Sequence, residues 1–208
     1  MMKNSLFIIC IFALGGLLGA YHMIPVEWVK SNTTMMILYA LILQVGISIG
    51  SNKGLKDMLR ALNFKMLLVP LSTIAGTLLF SFFASFFLTQ WGTADCMAVG
   101  SGFAYYSLSS VLITEIKSAS VGVQVAAELG TLALLANIIR EMISLLGAPL
   151  FTKVFGKLAP ISAAGINSMD VMLPMISRYS GKNWVPLAIL HGIILEMSVP
   201  LLISLFCR

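Results

Sequence analysis

The sequence predicts an all-α, polytopic helical membrane protein with five solid transmembrane helices and two interrupted or re-entrant segments. Of the 208 residues, 59% are hydrophobic and only 10% are charged, whereas soluble domains carry about a quarter charged residues. The apolar residues are gathered in runs long enough to cross a bilayer, with short polar loops between them. We therefore expect residues 1–208 to form a single membrane domain.

The same composition argues against several other classes of protein. The net charge is +5, but the basic residues lie in short loops rather than in a stripe with aromatic platforms, so nucleic-acid binding is not expected. The three cysteines are far apart, and the two histidines have no metal-ligand spacing with them. We expect no metal and no cofactor.

Five apolar runs predict the five solid helices. The first ends in Leu18-Gly19-Ala20, which resembles a signal peptide, but its spaced glycines also suit close helix packing and we expect it to remain as a helix. The second ends in Gly46-Ile47-Ser48-Ile49-Gly50, the letters of a hydrolase motif that has meaning only at a strand-to-helix turn, so we interpret it as helix packing. The runs cover residues 6–21, 33–50, 66–89, 121–149 and 184–206.

The distribution of basic residues predicts the orientation of the chain. The loop 51–65 carries Lys53, Lys56, Arg60 and Lys65 against a single acidic residue, which is typical of a cytoplasmic loop. With this loop inside, the N-terminus is cytoplasmic and the C-terminus lies outside. This result holds for five helices with two re-entrant segments and also for seven full crossings.

Two further stretches, residues 96–114 and 159–174, are too rich in small and polar residues for lipid-facing helices. Irregular backbone at membrane depth is tolerated only where protein or a watery cavity covers it. In the second stretch we expect Asn167 or Ser168 to cap a helix whose first turn holds Asp170. The alternatives are an ordinary packed interior helix for the first stretch and a surface loop for the second.

The fourth run carries Asn137, Arg140 and Glu141 in its second half. Charged side chains are costly inside a membrane, so they indicate a functional site. Asn137 and Glu141 share a helix face, whereas Arg140 and Glu141 point in different directions and each needs a partner from another segment or from a ligand. The alternative is that Arg140 reaches an interface and Glu141 is a solvated helix end. In the last run, His191 and Glu196 indicate a polar lining or an inter-helix bond.

These residues resemble the LysO-type lysine exporter family. The resemblance covers nearly the whole chain, which matches the C-terminal two-thirds of a full-length member. It is carried by Gly46-Ile47, Asn52-Lys53-Gly54, Ser101-Gly102-Phe103, Tyr106-Ser107-Leu108-Ser109, Thr114-Glu115, Arg140-Glu141, Ser168-Met169-Asp170, Leu173-Pro174, Val185-Pro186 and His191-Gly192.

The resemblance implies export of L-lysine and of toxic lysine analogues across the inner membrane of a bacterium. Glu141 matches the family's important intramembrane carboxylate in the second half of the chain. Full-length members begin with several more helices and another functional acidic residue, so we expect a small companion membrane protein to supply them. Members of the family commonly have a glycine at the position of Ser110. The chain departs from the family pattern there, which bears on the local geometry of that segment. Association into a homo-oligomer is left open.

The expected mechanism follows from the chemistry of lysine, which carries two ammonium groups and one carboxylate. Glu141 is the candidate for an ammonium group or for a coupling proton, which suggests proton antiport. Arg140 and the helix start at residues 167–170 are candidates for the carboxylate end. The full set of candidate site residues is Tyr106, Ser107, Ser109, Asn137, Arg140, Glu141, Asn167, Ser168, Asp170 and His191.

Two other functions compete with this interpretation. A channel, or a non-transporting subunit of a membrane complex, would need a continuous polar pore rather than two broken segments. An intramembrane hydrolase would pair Ser48 or Ser107 with His191, but no acid–base pair stands at suitable spacing. We therefore do not expect an enzyme.

Overall fold

The computed structural model describes residues 64–208, together with five isolated helical positions, Leu18, Met36, Ala40, Leu43 and Ile47. The first two predicted helices, the basic loop and the Gly-x-Ser-x-Gly stretch therefore lie outside the continuously described residues. The single-domain organisation of the whole chain stays a prediction.

The part of the chain from residue 64 onward is helical, without a strand. The long helices are α1, α4 and α7, and short helices lie between them. In order, the elements are α1 (Phe64–Ser85), α2 (Thr93–Gly100), α3 (Tyr106–Val121), α4 (Val123–Phe155), α5 (Ala159–Ala164), a 3-10 helix (Gly165–Met169), α6 (Leu173–Tyr179), a 3-10 helix (Lys182–Trp184) and α7 (Val185–Phe206).

Three of these helices are long and apolar enough to cross a membrane, namely Lys65–Ser85, Val123–Phe155 and Lys182–Phe206. They coincide with the third, fourth and fifth apolar runs, so the prediction of a helical membrane protein is confirmed. At about 1.5 Å per residue, the 33 residues of α4 exceed the thickness of the hydrocarbon core. The exposed side chains of these three helices include many Leu, Phe, Ile and Met residues, as expected for helices in a bilayer.

The first interrupted segment is the pair α2 and α3, which doubles back at its break. Asp95 in the first turn of α2 forms an ion pair of 2.6 Å with Lys117 near the end of α3. In one continuous helix these residues would lie about 33 Å apart, at about 1.5 Å for each of the intervening steps. At the break, Phe103 (φ 44°) and Ala104 (φ 74°) adopt left-handed conformations that are rare for residues with a side chain. The segment is therefore re-entrant in shape.

The second interrupted segment runs from α5 through the 3-10 helix to α6. Ile161 of α5 and Ile176 of α6 share one buried cluster with Ala148 near the end of α4, so both arms pack at the same end of that long helix. The break begins at Gly165, whose φ of +62° favours glycine. Both predicted interruptions of the helical pattern are thus present in the structure.

The prediction of a helix cap in this second segment is wrong. Asn167 and Ser168 lie inside the 3-10 helix, and α6 begins only at Leu173, without a side-chain cap. The Asn167 carbonyl accepts hydrogen bonds from the backbone of Asp170 (3.3 Å) and of Met172 (2.9 Å). Backbone bonds thus close this turn, and Asp170 is left between two helices.

The tips of the two interrupted segments meet. The backbone N–H of Ile166 donates to the carbonyl of Phe103 at 2.9 Å. A side chain at Gly165 would overlap that same carbonyl oxygen, so glycine permits the close approach. This contact places two stretches of irregular backbone side by side within the helical bundle.

Candidate functional site

A cavity of about 280 Å³ lies where the two tips meet. Its walls come from the start of α3, the middle of α4, the second break and α7. The polar side chains that line it are Tyr105, Tyr106, Ser107, Glu141, Asn167, Asp170 and Glu196. The arrangement is typical of transporters, in which irregular backbone at membrane depth borders a cavity.

Three carboxyl groups face this cavity from three different elements. Glu141 comes from the middle of α4, Asp170 from the break after the 3-10 helix, and Glu196 from α7. Among the residues that the structure describes, no Lys or Arg lines the cavity with them. Carboxylates gathered in a partly desolvated space produce a negative potential, so the cavity is suited to a cationic ligand.

Two buried polar atoms at the cavity have no hydrogen-bond partner within the described part of the chain. They are Nδ2 of Asn167, whose residue is 7% exposed, and Oε2 of Glu196, whose residue is 6% exposed. A buried polar group without a partner is costly, so such atoms mark places that a ligand or water fills. One atom donates and the other accepts, which suits a ligand with both kinds of group.

Five of the sequence-predicted residues line this cavity: Tyr106, Ser107, Glu141, Asn167 and Asp170. The sequence argument did not select Tyr105 or Glu196 as site residues. Glu196 carries the same signal as Glu141, because it is a carboxylate within an apolar run. That signal had suggested only a polar lining or an inter-helix bond. Tyr105 has no comparable signal in the sequence.

Asn137 and Ser109 lie behind the cavity and hold the first tip in place. Asn137 Oδ1 accepts a hydrogen bond from the backbone N–H of Ala104 at 2.7 Å, and its Nδ2 donates to the carbonyl of Ala133 at 2.8 Å. The Ser109 hydroxyl donates to the carbonyl of Tyr105 at 2.7 Å. Asn137 therefore satisfies a buried backbone donor that the left-handed turn leaves free.

Ser168 and His191 hold the second tip against α7 and α1. The Ser168 hydroxyl donates to the carbonyl of Ala188 at 2.8 Å and lies 3.0 Å from Nδ1 of His191. The other ring nitrogen of His191 is 3.0 Å from the Thr73 hydroxyl. Ser168 and His191 are both fully buried, so this serine–histidine pair is closed to a substrate and has the geometry of an inter-helix bond.

Arg140 points away from the cavity. Its Nε donates to the carbonyl of Ala163 and its Nη2 to the carbonyl of Ser162, both at 3.1 Å. Its Nη1 lies 3.4 Å from the Thr77 hydroxyl, and the guanidinium carbon stands 5.8 Å from the centre of the Phe103 ring. The guanidinium thus caps carbonyls at the end of α5, where a cation is favoured. It also borders a separate, mainly apolar cavity of about 320 Å³ between α1, α2 and α4.

The described residues contain no group of three or more His, Cys, Asp and Glu side chains placed to hold a metal ion. The three carboxyl groups of the cavity are accompanied by tyrosine, serine and asparagine. This mixture is suited to hydrogen bonding with an organic cation.

Comparison with known proteins shows the family of the chain. A family model described as "Lysine exporter LysO" matches residues 9–207. "Lysine exporter LysO" of Escherichia coli is 31% identical over 176 residues, which are 85% of this chain and 54% of that protein. "Putative lysine exporter" of Haemophilus influenzae is 32% identical over 187 residues, which are 86% of this chain and 88% of that protein.

The chain spans about half the length of the Escherichia coli relative that it matches. No solved structure gives a significant match. Because the family model covers almost the entire sequence, the chain belongs to the LysO family of lysine exporters.

Proposed function

We propose that this protein exports L-lysine and lysine analogues across the bacterial inner membrane, and that the substrate binds in the cavity between the two tips. The observation that carries the proposal is the group of three carboxyl groups at the junction of two interrupted segments. Membership of the LysO family and the names of both relatives support lysine as the substrate.

The lining of the cavity matches the groups of lysine. Glu141 is the candidate for an ammonium group, and the exposed carboxyl of Asp170 lies at the same cavity as an entry point for a cation. The substrate carboxylate is suited to Nδ2 of Asn167 and to the backbone N–H groups of Tyr106 and Ser107 in the first turn of α3. These donors take the role that the sequence had suggested for Arg140, whose donors are occupied by backbone carbonyls.

Proton antiport is the proposed coupling. Glu141 is half-buried in the wall of the cavity, and a carboxylate there can bind either an ammonium group or a proton. Competition between the two ligands for one group would tie the release of lysine to the uptake of a proton. Arrival of the proton discharges the carboxylate, which removes its attraction for the ammonium group.

The test of this coupling is Glu141→Gln in everted membrane vesicles with an imposed pH gradient. We expect the variant to lose lysine accumulation by at least about tenfold, together with the proton movement that lysine drives, because Gln cannot exchange a proton. Glu128→Gln is the matched control, since Glu128 is exposed on the same helix and does not line the cavity. Normal lysine accumulation in Glu141→Gln would exclude Glu141 as the coupling group.

We also propose that a small companion membrane protein takes part in export. The proposal starts from the longer relative, that of Escherichia coli, of which this chain matches 54%, whereas it matches 88% of the Haemophilus influenzae relative. The test is resistance to thialysine in an exporter-deficient strain, with this chain alone and with the neighbouring membrane-protein gene co-expressed. Protection only on co-expression supports the companion, whereas equal protection by the chain alone contradicts it.

A channel or non-transporting subunit is the alternative function. If neither strain is protected although both proteins are present in the membrane, the lysine assignment fails and this alternative is favoured. A saturable flux that depends on the gradient would exclude the channel.

A further inference from the structure

Glu196 is the most deeply buried of the three carboxyl groups in the cavity. It lies in the middle of α7 and is 6% exposed. Its Oε2 has no hydrogen-bond partner in the described part of the chain. An ionised carboxylate in such a place is costly unless a cation or a donor reaches it.

Glu196 and Glu141 stand on different walls of one cavity, because they come from α7 and α4 respectively. Lysine has two ammonium groups at the two ends of an apolar chain, so it needs two separated acceptors. Asp170 is a less suitable second acceptor, because it is exposed and its Oδ1 already accepts a hydrogen bond from the backbone N–H of Val171. The buried carboxyl therefore has more to gain from a ligand cation than the exposed one.

We propose that Glu196 binds the second ammonium group of the substrate and thereby selects diamino acids over neutral amino acids. This inference rests on the lysine site proposed above. A neutral amino acid of the same length leaves the Glu196 carboxyl buried without a partner, and a site built for a hydrogen-bonding group rejects an analogue that lacks it. Selection thus comes from the penalty on the wrong ligand as well as from attraction for the right one.

The charged and polar groups that face Glu196 are limited. Within the described residues, the cavity offers it Glu141 and Asp170 as acidic neighbours, and Tyr105, Tyr106, Ser107 and Asn167 as hydrogen-bonding neighbours. None of these is a cation. A cationic ligand in the cavity would therefore meet three carboxyl groups without displacing a cation of the described lining.

The experiment measures binding of lysine and of norleucine to the full chain, purified alone and with the proposed companion protein. Norleucine has the six-carbon skeleton of lysine but lacks the side-chain ammonium group. We expect Glu196→Gln to lower the preference for lysine over norleucine by at least about tenfold, mainly by raising the Kd for lysine. Glu128→Gln, which removes an exposed carboxyl from α4, is the control and should leave the preference unchanged.

A second variant, Glu196→Asp, keeps the charge but withdraws it by one methylene group. We expect its preference to shift from lysine toward homolysine, whose side chain is one methylene longer. The test with Glu196→Asp compares two ligands on one variant, so it can be carried out even if Glu196→Gln does not fold. An unchanged order of affinities in Glu196→Asp would overturn the proposal.

The remaining outcomes separate this inference from the proposed function. If the unmodified protein binds lysine but Glu196→Gln keeps the full preference over norleucine, only the role of Glu196 is overturned. If Glu196→Gln weakens both ligands equally, Glu196 is a positioning residue and the selectivity proposal fails. If the unmodified protein binds no lysine, the proposed function fails and the role of Glu196 fails with it.

Discussion

At the scale of single residues, neighbouring polar side chains of the fourth apolar run have different surroundings within about one helical turn. Asn137 and Glu141 share a face of α4, yet Asn137 bonds to the backbone at Ala104 whereas Glu141 faces the cavity. Arg140, next to Glu141, turns to the carbonyls of Ser162 and Ala163. The sequence argument required a partner from another segment or from a ligand for both Arg140 and Glu141. For Arg140 the partner is the backbone of the second interrupted segment.

The first prediction concerns Arg140→Lys. A lysine side chain at this position has a single ammonium group, which cannot donate to both carbonyls as the planar guanidinium does. We therefore expect the free energy of unfolding to fall by about 1.5–3 kcal/mol. Selectivity between lysine and norleucine should be unchanged, because Arg140 does not line the proposed site. Thermal unfolding and ligand binding in detergent measure the two effects.

The control for this prediction is Arg178→Lys. Arg178 is exposed near the end of α6, so its replacement should leave unfolding unaltered. A weaker affinity for lysine in Arg140→Lys with full thermal stability would contradict the scaffold role and return Arg140 to the carboxylate end of the substrate.

At the scale of elements, the two interrupted segments depend on one another. Each doubles back within the bundle, and their tips join through the hydrogen bond from Ile166 to Phe103. The α2–α3 arms are tied by the ion pair between Asp95 and Lys117. Because irregular backbone has no internal hydrogen-bond ladder, each break needs side chains and backbone from elsewhere to satisfy its polar groups.

The second prediction compares Gly165→Ala with Gly156→Ala. Both glycines have positive φ, +62° and +88°, with ψ of −132° and 178°, which are conformations that residues with a side chain rarely adopt. Both substitutions therefore carry a backbone cost of about 1–3 kcal/mol. Only at Gly165 does the new methyl group overlap the Phe103 carbonyl, since the space around Gly156 is open. We expect Gly165→Ala to abolish lysine export and to lower the melting temperature further than Gly156→Ala does.

Export assays in cells and thermal unfolding of the purified variants test this comparison. Equal losses in the two variants would show that the backbone conformation alone matters and that the contact between the tips does not.

At the scale of the whole molecule, the connections give the long helices alternating directions. The end of α1 lies beside the start of α2, because the hydroxyls of Ser85 and Thr93 are 3.3 Å apart. Since α2 and α3 return to that same end, α4 begins there and runs back. The opposite end of the described region carries the larger group of basic residues, Lys65, Lys153, Lys157, Arg178 and Lys182.

The third prediction is that this basic end faces the cytoplasm, because short cytoplasmic loops carry the excess of Lys and Arg. Single cysteines at Lys157 and Gln90 test it in a background whose native cysteines are replaced by serine. In intact spheroplasts, a membrane-impermeant maleimide should label Gln90→Cys and should label Lys157→Cys only after lysis. The reverse pattern would invert the proposed orientation and place the C-terminus inside.

The sequence by itself determined the membrane class, the three long helices of the described region and the two interruptions. These properties are local, because hydropathy and the content of small residues act segment by segment. The carboxylate of Glu141 was also recognisable, since an acidic group within an apolar run is costly wherever it points. The start of α6 was mispredicted, because backbone bonds to Asn167 replaced the expected side-chain cap.

Only the tertiary structure decided which polar residues line the cavity and which hold the tips. Glu196 and Glu141 are 55 residues apart in the sequence, yet they share one cavity because α4 and α7 both contribute to its walls. The sequence also selected Arg140, Asn137, Ser168 and His191 as candidate site residues, but their partners are backbone atoms or hydroxyls. The role of a buried polar side chain is set by the group it meets, and that group comes from a distant part of the chain.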